Sequence, residues 1–199
     1  SAKQILMGVG SQRKELTDES AKKEWKLLRK TQPKALLLSN IGLSQLIQTP
    51  TDKILDIIEN LEAVGIFVHV NPLQECIQKE GTPQFKGGLK AIEKLVKATS
   101  VPVIVKEVGN GFSVSDRQRL EELGIFALDL SAKGGTDWAK VEALRYVKEP
   151  NFRSSGLIYA NWGYDLPSML LEQEKLNVSY QIWGSGGIRS GLDVAKSIA

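Results

Sequence analysis

Short apolar runs that alternate with helical patterns constrain the fold of this chain more than any other feature of its sequence. The runs are rich in Val, Ile and Leu and do not alternate regularly with polar residues, which is typical of strands covered on both faces of a parallel sheet. Clear runs occupy residues 5–9, 35–38, 66–70, 101–105, 125–130 and 180–183, and a weaker one occupies 157–159. The sequence therefore predicts an α/β protein.

Apolar stripes at helical spacing lie between these runs. A helix is predicted over residues 52–64, opened by Thr51 and ended by Gly65, because glycine is favoured just after a helix. A second is predicted over 116–123, capped by Ser115 and ended by Gly124. Further stripes pass through Trp25 and Leu28, through Leu89, Ile92, Leu95 and Val96, and through Trp138, Val141 and Leu144. Residues 191–199 begin one more helix.

Two architectures fit such an alternation, a doubly wound open sheet and a closed (β/α)8 TIM barrel. Polar, chemistry-bearing residues follow nearly every strand, which favours the barrel, because its working face is the ring of loops after the strands. A doubly wound sheet would concentrate them at one switch point. A complete barrel typically has about 250 residues, and this chain has 199. We therefore expect a single, incomplete barrel domain over residues 1–199, without its first strand and its C-terminal structure.

Composition excludes several classes of protein. Lys and Arg number 26 against 23 Asp and Glu, and no basic–aromatic interleaving occurs, so a nucleic-acid partner is not expected. The small positive excess suits an anionic small molecule. A single cysteine, Cys76, allows no internal disulfide and fits a reducing compartment. No apolar run reaches the roughly 18 residues of a membrane span. We expect a cytoplasmic protein that does not enter a membrane.

The loop over residues 184–189 is a candidate phosphate site. Its glycines Gly186 and Gly187 let the backbone approach a ligand closely, and a helix N-terminus follows. A second glycine cluster, from Lys133 to Thr136, strengthens this interpretation over a simple chain reversal. Lys106 ends the run 101–105, where it can place a positive charge near an anionic ring or oxyanion. The alternative for Lys106 is an ordinary surface lysine.

The loop after the third run carries the only histidine of the chain. His69 and Asn71 alternate along the predicted strand and are therefore expected on one side, with Gln74 and Glu75 just beyond. Arg13 suits bidentate binding of phosphate. Glu75 can hold Mg²⁺, which takes one or two carboxylates together with water and substrate phosphate. The competing interpretations are a core histidine, a solvated arginine and a surface acid, whereas one His and one Cys do not make a usual zinc site.

At these residues the sequence resembles the type 2, FMN-dependent isopentenyl-diphosphate isomerases. The segment Asn-Pro-Leu-Gln-Glu over residues 71–75 is the most specific match, and Gly-Gly-Ile-Arg over 186–189 is shared more widely among FMN barrels. The matching segments follow the family's order along the whole chain. They are residues 9–13, Asn40 with Gly42, 69–75, 80–85, 105–109, 134–138, 161–163 and 186–191. Thr82 departs from the family, which usually has Asp there.

The resemblance implies an activity and a set of roles. The reaction would be an allylic proton transfer between isopentenyl and dimethylallyl diphosphate in isoprenoid biosynthesis, with reduced FMN, Mg²⁺, and NADPH as the reductant. Catalysis would involve Gln74 and His69, and Glu75 would bind the metal. The FMN-binding residues would be Ser11, Asn40, Lys106, Thr136, Gly186 and Gly187. The substrate-binding residues would be Arg13, His69, Asn71 and Gln74. The family resemblance also implies a homo-oligomer, a tetramer or larger.

Two other functions stay open on the sequence. One is a different FMN-dependent barrel oxidoreductase, which would share Lys106 and the glycine loop. The other is a non-catalytic barrel that binds flavin or phosphate without turnover. All three hypotheses expect the loops that bear Arg13, His69, Glu75, Lys106 and Arg189 to lie around one mouth.

Overall fold

Six strands form one sheet in the computed structural model, which describes residues 5–145, 148 and 150–199, without the side chains of Pro150 and Phe152. Each strand falls within or beside one of the six clear apolar runs of the sequence, so the predicted strands are confirmed. They are β1 (Leu6–Gly8), β2 (Leu36–Gly42), β3 (Gly65–His69), β4 (Val103–Lys106), β5 (Ala127–Asp129) and β6 (Gln181–Trp183).

The order of the strands in the sheet is β1-β2-β3-β4-β5-β6, which is their order along the chain. The β1–β2 and β2–β3 pairs are parallel. A doubly wound sheet reverses its order at a switch point, whereas a barrel adds each new strand beside the previous one. The described strands therefore have the parallel order of part of a TIM barrel, and six strands do not make the complete eight-stranded barrel.

Helices occupy most of the intervals between the strands. The first five are α1 (Glu19–Thr31), α2 (Leu43–Gln48), α3 (Thr51–Leu61), α4 (Pro72–Ile77) and α5 (Gly88–Ala98). The other five are α6 (Val114–Glu121), α7 (Trp138–Arg145), α8 (Pro150–Ile158), α9 (Leu166–Gln173) and α10 (Gly191–Ile198). None of the described helices combines the length and the apolar character that a bilayer crossing requires.

The chain divides into two compact units, and each has its own core. Unit 1 contains residues 5–69, 85–105 and 123–127, and unit 2 contains the described residues of 70–84, 106–122 and 128–199. The core of unit 1 includes Ile54 and Leu61 of α3 and Ile66 of β3, all fully buried. In unit 2, Leu128 and Met169 are fully buried in the same way.

Glycine provides space between the strands of unit 1. Gly8 pairs with Leu38, and a Cβ on Gly8 would lie 2.6 Å from the ring of Phe67. A Cβ on Gly65 would lie 2.7 Å from the side chain of Leu38 and 3.1 Å from the carbonyl oxygen of Pro102. Gly65 is therefore the first residue of β3 and not the helix cap that the sequence predicted. Glu62 takes the left-handed position after α3 instead, with φ of 45°.

Two predictions in unit 2 were wrong in detail. Residues 157–159 are not a strand, because α8 runs to Ile158 and its Gly156 packs closely on α7, where a Cβ would lie 2.6 Å from the carbonyl oxygen of Ala139. The cap of α6 is Ser113, not Ser115: the hydroxyl of Ser113 accepts the N–H of Asp116 at 3.1 Å.

The buried face of α7 also differs from the predicted stripe of Trp138, Val141 and Leu144. Trp138 is 38% exposed and Leu144 68%, whereas Ala139, Glu142 and Ala143 are buried. The small alanine side chains permit the close approach of Gly156. Helix packing here is therefore governed by small residues rather than by the largest apolar ones.

Candidate functional site

In unit 1 the candidate residues lie at the C-terminal ends of the first three strands. His69 is the last residue of β3, and Asn40 lies in β2 two residues before its end. Ser11 and Arg13 follow β1 and are exposed, with Arg13 at the start of a short 3-10 helix, Arg13–Leu16. Unit 1 thus presents one imidazole, one amide, one hydroxyl and one guanidinium on its C-terminal strand ends.

The side chains of Asn40 and His69 are directly hydrogen-bonded. The Oδ1 atom of Asn40 is 2.8 Å from Nδ1 of His69, and the side-chain nitrogen of Asn40 donates to the carbonyl oxygen of Val9 at 2.9 Å. The sequence matches placed these two residues in a flavin-binding and a substrate-binding role separately. The structure adds that they form one hydrogen-bonded pair.

Gln12 is a member of this site that the sequence analysis missed. Its side chain is fully buried, and its Oε1 atom accepts the backbone N–H of Asn40 at 3.1 Å. The side-chain nitrogen donates to Glu15 at 3.0 Å and to the carbonyl oxygen of Ile57 at 3.3 Å. A neutral amide in a loop has no periodicity or charge that would predict its burial, so only the tertiary contacts reveal it.

In unit 2 the segment over residues 71–75 forms a small polar network. Asn71 is not in a strand, since β3 ends at His69, and it is instead the N-cap residue of α4, with Pro72 at the first helical position. The expectation that Asn71 and His69 share a strand face was therefore wrong. The side-chain nitrogen of Asn71 donates to Oε1 of Gln74 at 3.2 Å and to Oε1 of Glu75 at 3.1 Å.

Asn71 also carries an unsatisfied acceptor. The residue is 4% exposed, and its Oδ1 atom has no hydrogen-bond partner among the described residues. Leaving a buried carbonyl oxygen unpaired typically costs about 1–3 kcal/mol. A ligand that brings a donor or a cation to this atom would remove that cost.

Glu142 connects this network to α7, and the sequence analysis missed it. It is 1% exposed, and its Oε1 atom accepts from the side-chain nitrogen of Gln74 at 3.4 Å. The other oxygen, Oε2, accepts from Arg145 at 2.8 Å, and Arg145 also donates to Glu80 at 2.7 Å. Gln74 is therefore held between the amide of Asn71 and the carboxylate of Glu142.

Glu75 is 5% exposed and is the candidate metal ligand. Its Oε2 atom accepts the backbone N–H of Thr82 at 2.5 Å, while Oε1 accepts from Asn71. Each carboxylate oxygen keeps a second lone pair. Among the described residues no three His, Cys, Asp or Glu side chains come together as a metal cluster. The arrangement therefore suits a cation that is held by one protein carboxylate and by oxygen atoms of water or a bound small molecule. It does not suit a cation that is fully enclosed by protein side chains.

Lys106, the last residue of β4, is partly buried among charges. Burial lowers the pKa of its ammonium group, and the nearby carboxylates of Asp129 and Glu107 oppose that effect. Its Nζ atom donates to the carbonyl oxygen of Glu107 at 2.7 Å. Asp129, at the end of β5, accepts from the backbone N–H of Ser131 at 3.0 Å and from the hydroxyl of Ser185 after β6. The strand ends of β4, β5 and β6 thus meet around one lysine and one aspartate.

The loop after Lys106 is organised by Glu107, which is 3% exposed. Its Oε2 atom accepts three consecutive backbone N–H groups, those of Val108, Gly109 and Asn110, at 2.5–2.7 Å. Burial raises the pKa of this carboxyl against the opposing effect of those bonds. Glu107 therefore fixes the loop that carries the carbonyl oxygen bonded by Lys106.

The glycine loops of unit 2 pack directly on each other. Gly134, Gly186 and Gly187 have φ of 145°, 110° and 82°, in the region that disfavours other residues. Arg189 joins the two loops, because its guanidinium donates to the carbonyl oxygens of Gly134 at 2.7 Å and Gly187 at 3.0 Å. Within the described part of the chain no hydrogen bond uses the backbone N–H of these three glycines. Thr136 lies exposed in the same stretch.

A groove of about 720 Å³ opens beside these loops within unit 2. Gly134, Gly186 and Gly187 line it together with three cations and two carboxylates, which are Lys133, Arg189, Lys196, Glu174 and Asp193. Its remaining wall is largely apolar, with Leu166, Leu170 and Ile182 among the lining residues. The combination of backbone donors, positive charge and an apolar wall fits a phosphate attached to a larger, less polar group.

Comparison with known proteins finds relatives by sequence. No protein-family model matches the chain. A curated protein of Bdellovibrio bacteriovorus named isopentenyl-diphosphate delta-isomerase is 52% identical over 197 residues, which are 99% of this chain and 57% of that protein. Proteins of the same name are 48% identical over 193 residues in Legionella pneumophila, strain Corby, and 37% identical over 195 residues in Methanosarcina barkeri. These matches cover 97% and 98% of the chain and 56% and 53% of those proteins.

The chain thus spans little more than half the length of the curated relatives that it matches. Its similarity to them extends over 97–99% of its own residues.

Proposed function

We propose that this chain is part of a type 2, FMN-dependent isopentenyl-diphosphate isomerase. The observation that carries the proposal is the match of nearly the whole chain, at up to 52% identity, to proteins named isopentenyl-diphosphate delta-isomerase. The reaction adds a proton to the terminal alkene carbon of isopentenyl diphosphate and removes one from the allylic methylene group, two carbons away. The double bond moves by one position, dimethylallyl diphosphate forms, and no net oxidation occurs.

The residues of unit 2 fit an FMN phosphate. The left-handed glycines Gly134, Gly186 and Gly187 offer backbone N–H groups that no acceptor in the described chain uses, and Lys133 adds a positive charge at the same groove. Lys106 would place its ammonium near the flavin ring, and Thr136 would contact the cofactor in the same unit. We also assign Ser11 and Asn40 to FMN binding, as the family resemblance implies.

The substrate diphosphate suits the polar residues at the strand ends. We assign Arg13, His69 and Gln74 as donors to its oxygens. Both hydrogens of the Asn71 side-chain amide already bond to Gln74 and Glu75, so Asn71 would bind the substrate through its unpaired Oδ1 acceptor, by way of a water molecule. Mg²⁺ commonly takes a single carboxylate and completes its shell with water and phosphate, which matches the isolated Glu75. The unsatisfied Oδ1 of Asn71 supports a ligand at this position, because a metal-bound water would supply the missing donor.

The chain's own residues would then orient the reacting carbons. When bound, reduced FMN supplies an electron-rich ring that can stabilise positive charge on the alkene and exchange a proton with it. Gln74 is fixed between Asn71 and Glu142, so its amide has a defined position for contact with the substrate. Lys106 would balance the negative charge of the reduced ring. NADPH is the proposed reductant of the flavin.

The cofactor dependence of turnover tests this proposal. We expect the purified full-length protein to convert isopentenyl diphosphate only when FMN is reduced under anaerobic conditions and Mg²⁺ is present. Omission of reduced FMN or of Mg²⁺, or use of oxidised FMN, should lower the rate by at least about 100-fold. Each change removes a charged group from its position beside the substrate and with it most of that group's electrostatic contribution. Product formation is measured by chromatography of the dephosphorylated alcohols.

Two outcomes of the same assay would contradict the isomerase. Stoichiometric flavin reduction by a substrate would identify an oxidoreductase. Tight FMN binding without any turnover would identify a binding protein.

A further inference from the structure

His69 has a defined proton position, which follows from the contacts of Asn40. The 2.8 Å contact between Nδ1 of His69 and Oδ1 of Asn40 requires a hydrogen on Nδ1 if Asn40 presents its oxygen there. A reversed amide would instead present its nitrogen to an unprotonated Nδ1. The choice between these arrangements depends on what lies on the other side of the amide.

The other side of the Asn40 amide faces an acceptor. Its nitrogen lies 2.9 Å from the carbonyl oxygen of Val9, to which it donates. Reversal would bring two oxygen acceptors together at that distance, with no hydrogen between them. Val9 is itself tied to β2, since its N–H donates to the carbonyl oxygen of Leu38 at 3.0 Å. The amide of Asn40 therefore has one favourable orientation, and Nδ1 of His69 is the donor.

Gln12 holds the backbone of Asn40 in place with two hydrogen bonds. The backbone N–H of Gln12 donates to the carbonyl oxygen of Asn40 at 2.8 Å, and its side-chain Oε1 accepts the N–H of Asn40 at 3.1 Å. The orientation of the Gln12 amide is also determined, because its nitrogen donates to Ile57 and Glu15. This side chain is fully buried, so water does not compete for these bonds.

Gly42 leaves the space that the imidazole needs. It stands opposite His69 in the β2–β3 register. A Cβ at Gly42 would lie 2.9 Å from Nε2 of His69 and would overlap the side-chain oxygen of Gln45. Asn40 therefore holds the ring at Nδ1, and the absent side chain of Gly42 leaves space on the Nε2 side.

We infer that Gln12 and Asn40 are positioning residues that hold His69 with its proton on Nδ1, so that Nε2 is the nitrogen that gains or loses the second proton. The bond to Asn40 is kept in both charge states, since Oδ1 accepts the Nδ1 hydrogen of the neutral ring and of the imidazolium alike. The ring can therefore become a cation that donates from Nε2 to a diphosphate oxygen without reorganising. This last role depends on the proposed function, whereas the tautomer depends on the geometry of unit 1 alone.

Nitrogen NMR of the full-length protein, labelled with ¹⁵N in histidine, tests the inference without any substrate. A His69→Gln variant identifies the signals of His69 as those that disappear. At a pH where the ring is neutral, we expect a protonated Nδ1 and an unprotonated Nε2. A neutral ring that carries its hydrogen on Nε2 in the unmodified protein would overturn the inference directly.

Variants then separate positioning from general structure. Asn40→Leu removes the acceptor and should transfer most of the neutral population to the Nε2–H tautomer, and Gln12→Ala should give a mixture. Gln48→Ala, at an exposed position of α2, is the matched control and should leave the spectrum unchanged. An unaltered tautomer in folded Asn40→Leu would contradict the inference.

Inorganic pyrophosphate probes the diphosphate role. Its addition with Mg²⁺ should move the Nε2 signal of His69 to the protonated position while Nδ1 stays protonated. If Nε2 does not respond, the role of His69 toward diphosphate is wrong. Failure of the isomerase assay with a normal Nε2 response would instead refute the proposed function.

Discussion

Replacing Gly186 by alanine is expected to weaken FMN binding by at least about 100-fold. Gly186 has φ of 110°, and a Cβ there would overlap the carbonyl oxygen of Ala132. Holding an L-residue in such a conformation costs about 1–3 kcal/mol, and the overlap forces the loop away from Ala132. Since every 1.4 kcal/mol is tenfold in affinity, strain and displacement together account for the predicted loss. Flavin fluorescence titration of the full-length apoprotein measures it.

Gly191→Ala is the matched control for this prediction. Gly191 begins α10, five residues further along the chain, and a Cβ there meets nothing within 4 Å. We expect its FMN affinity to stay within about twofold of the parent, because an exposed alanine is a good helix residue. Thermal unfolding of both variants establishes that they are folded. Equal FMN affinity of the two variants would remove Gly186 from the phosphate site.

Replacing Lys106 by methionine is expected to lower kcat by about 100- to 1,000-fold, the range found when a preorganised group that stabilises developing charge is removed. Methionine retains most of the apolar stem but removes the ammonium that lies among Asp129 and Glu107. The KM for isopentenyl diphosphate should change little, because the proposed role of Lys106 is toward the flavin. Steady-state kinetics with saturating reduced FMN provide both values.

The exposed Lys94 of α5 offers a control of the same chemistry. Lys94→Met removes one positive charge from the protein's surface and should leave both kcat and KM unchanged within about twofold, as expected for most surface substitutions. A kcat of Lys106→Met close to that of Lys94→Met, with flavin bound, would exclude Lys106 from catalysis.

The inner strands were predictable from the sequence, because strands that are buried on both faces of a parallel sheet consist of continuous apolar runs. β1 was predicted from its apolar residues in the same way, although all three of its residues are exposed. The short stretch at 157–159 is also apolar, but it is not a strand. Its apolar residues end α8 and are about half exposed or more. Three residues contain too little pattern to separate a strand from the end of a helix. Length, more than composition, limited that prediction.

Helix ends and helix faces were less predictable. Ser113 and Ser115 are equally good capping residues, and only the bond from Asp116 to Ser113 distinguishes them. On α7 the large apolar residues suggested one face, whereas Gly156 packs against Ala139 and Ala143, and Glu142 is buried with a bond from Gln74. The partner helix, which the local sequence does not contain, decided which face is inside.

The sequence analysis named the candidate residues that carry reactive or charged groups but not the residues that support them. Arg13, His69, Glu75 and Lys106 stand out because their residue types carry chemistry. Gln12, Glu107 and Glu142 are buried polar side chains, and their importance follows from bonds to residues distant in the chain. The burial of a polar group depends on tertiary packing, so a local sequence pattern does not reveal it.

Isotope exchange in D₂O tests the central claim most directly. The full-length protein, with reduced FMN and Mg²⁺, should transfer solvent deuterium into dimethylallyl diphosphate, mainly at the methyl group formed from the terminal alkene carbon. The flavin should remain reduced over many turnovers, because the proposed reaction moves protons without net electron transfer. Mass spectrometry of the product and the flavin absorbance give both results together. Recovery of unlabelled isopentenyl diphosphate alone, from folded and flavin-loaded protein, would contradict the account.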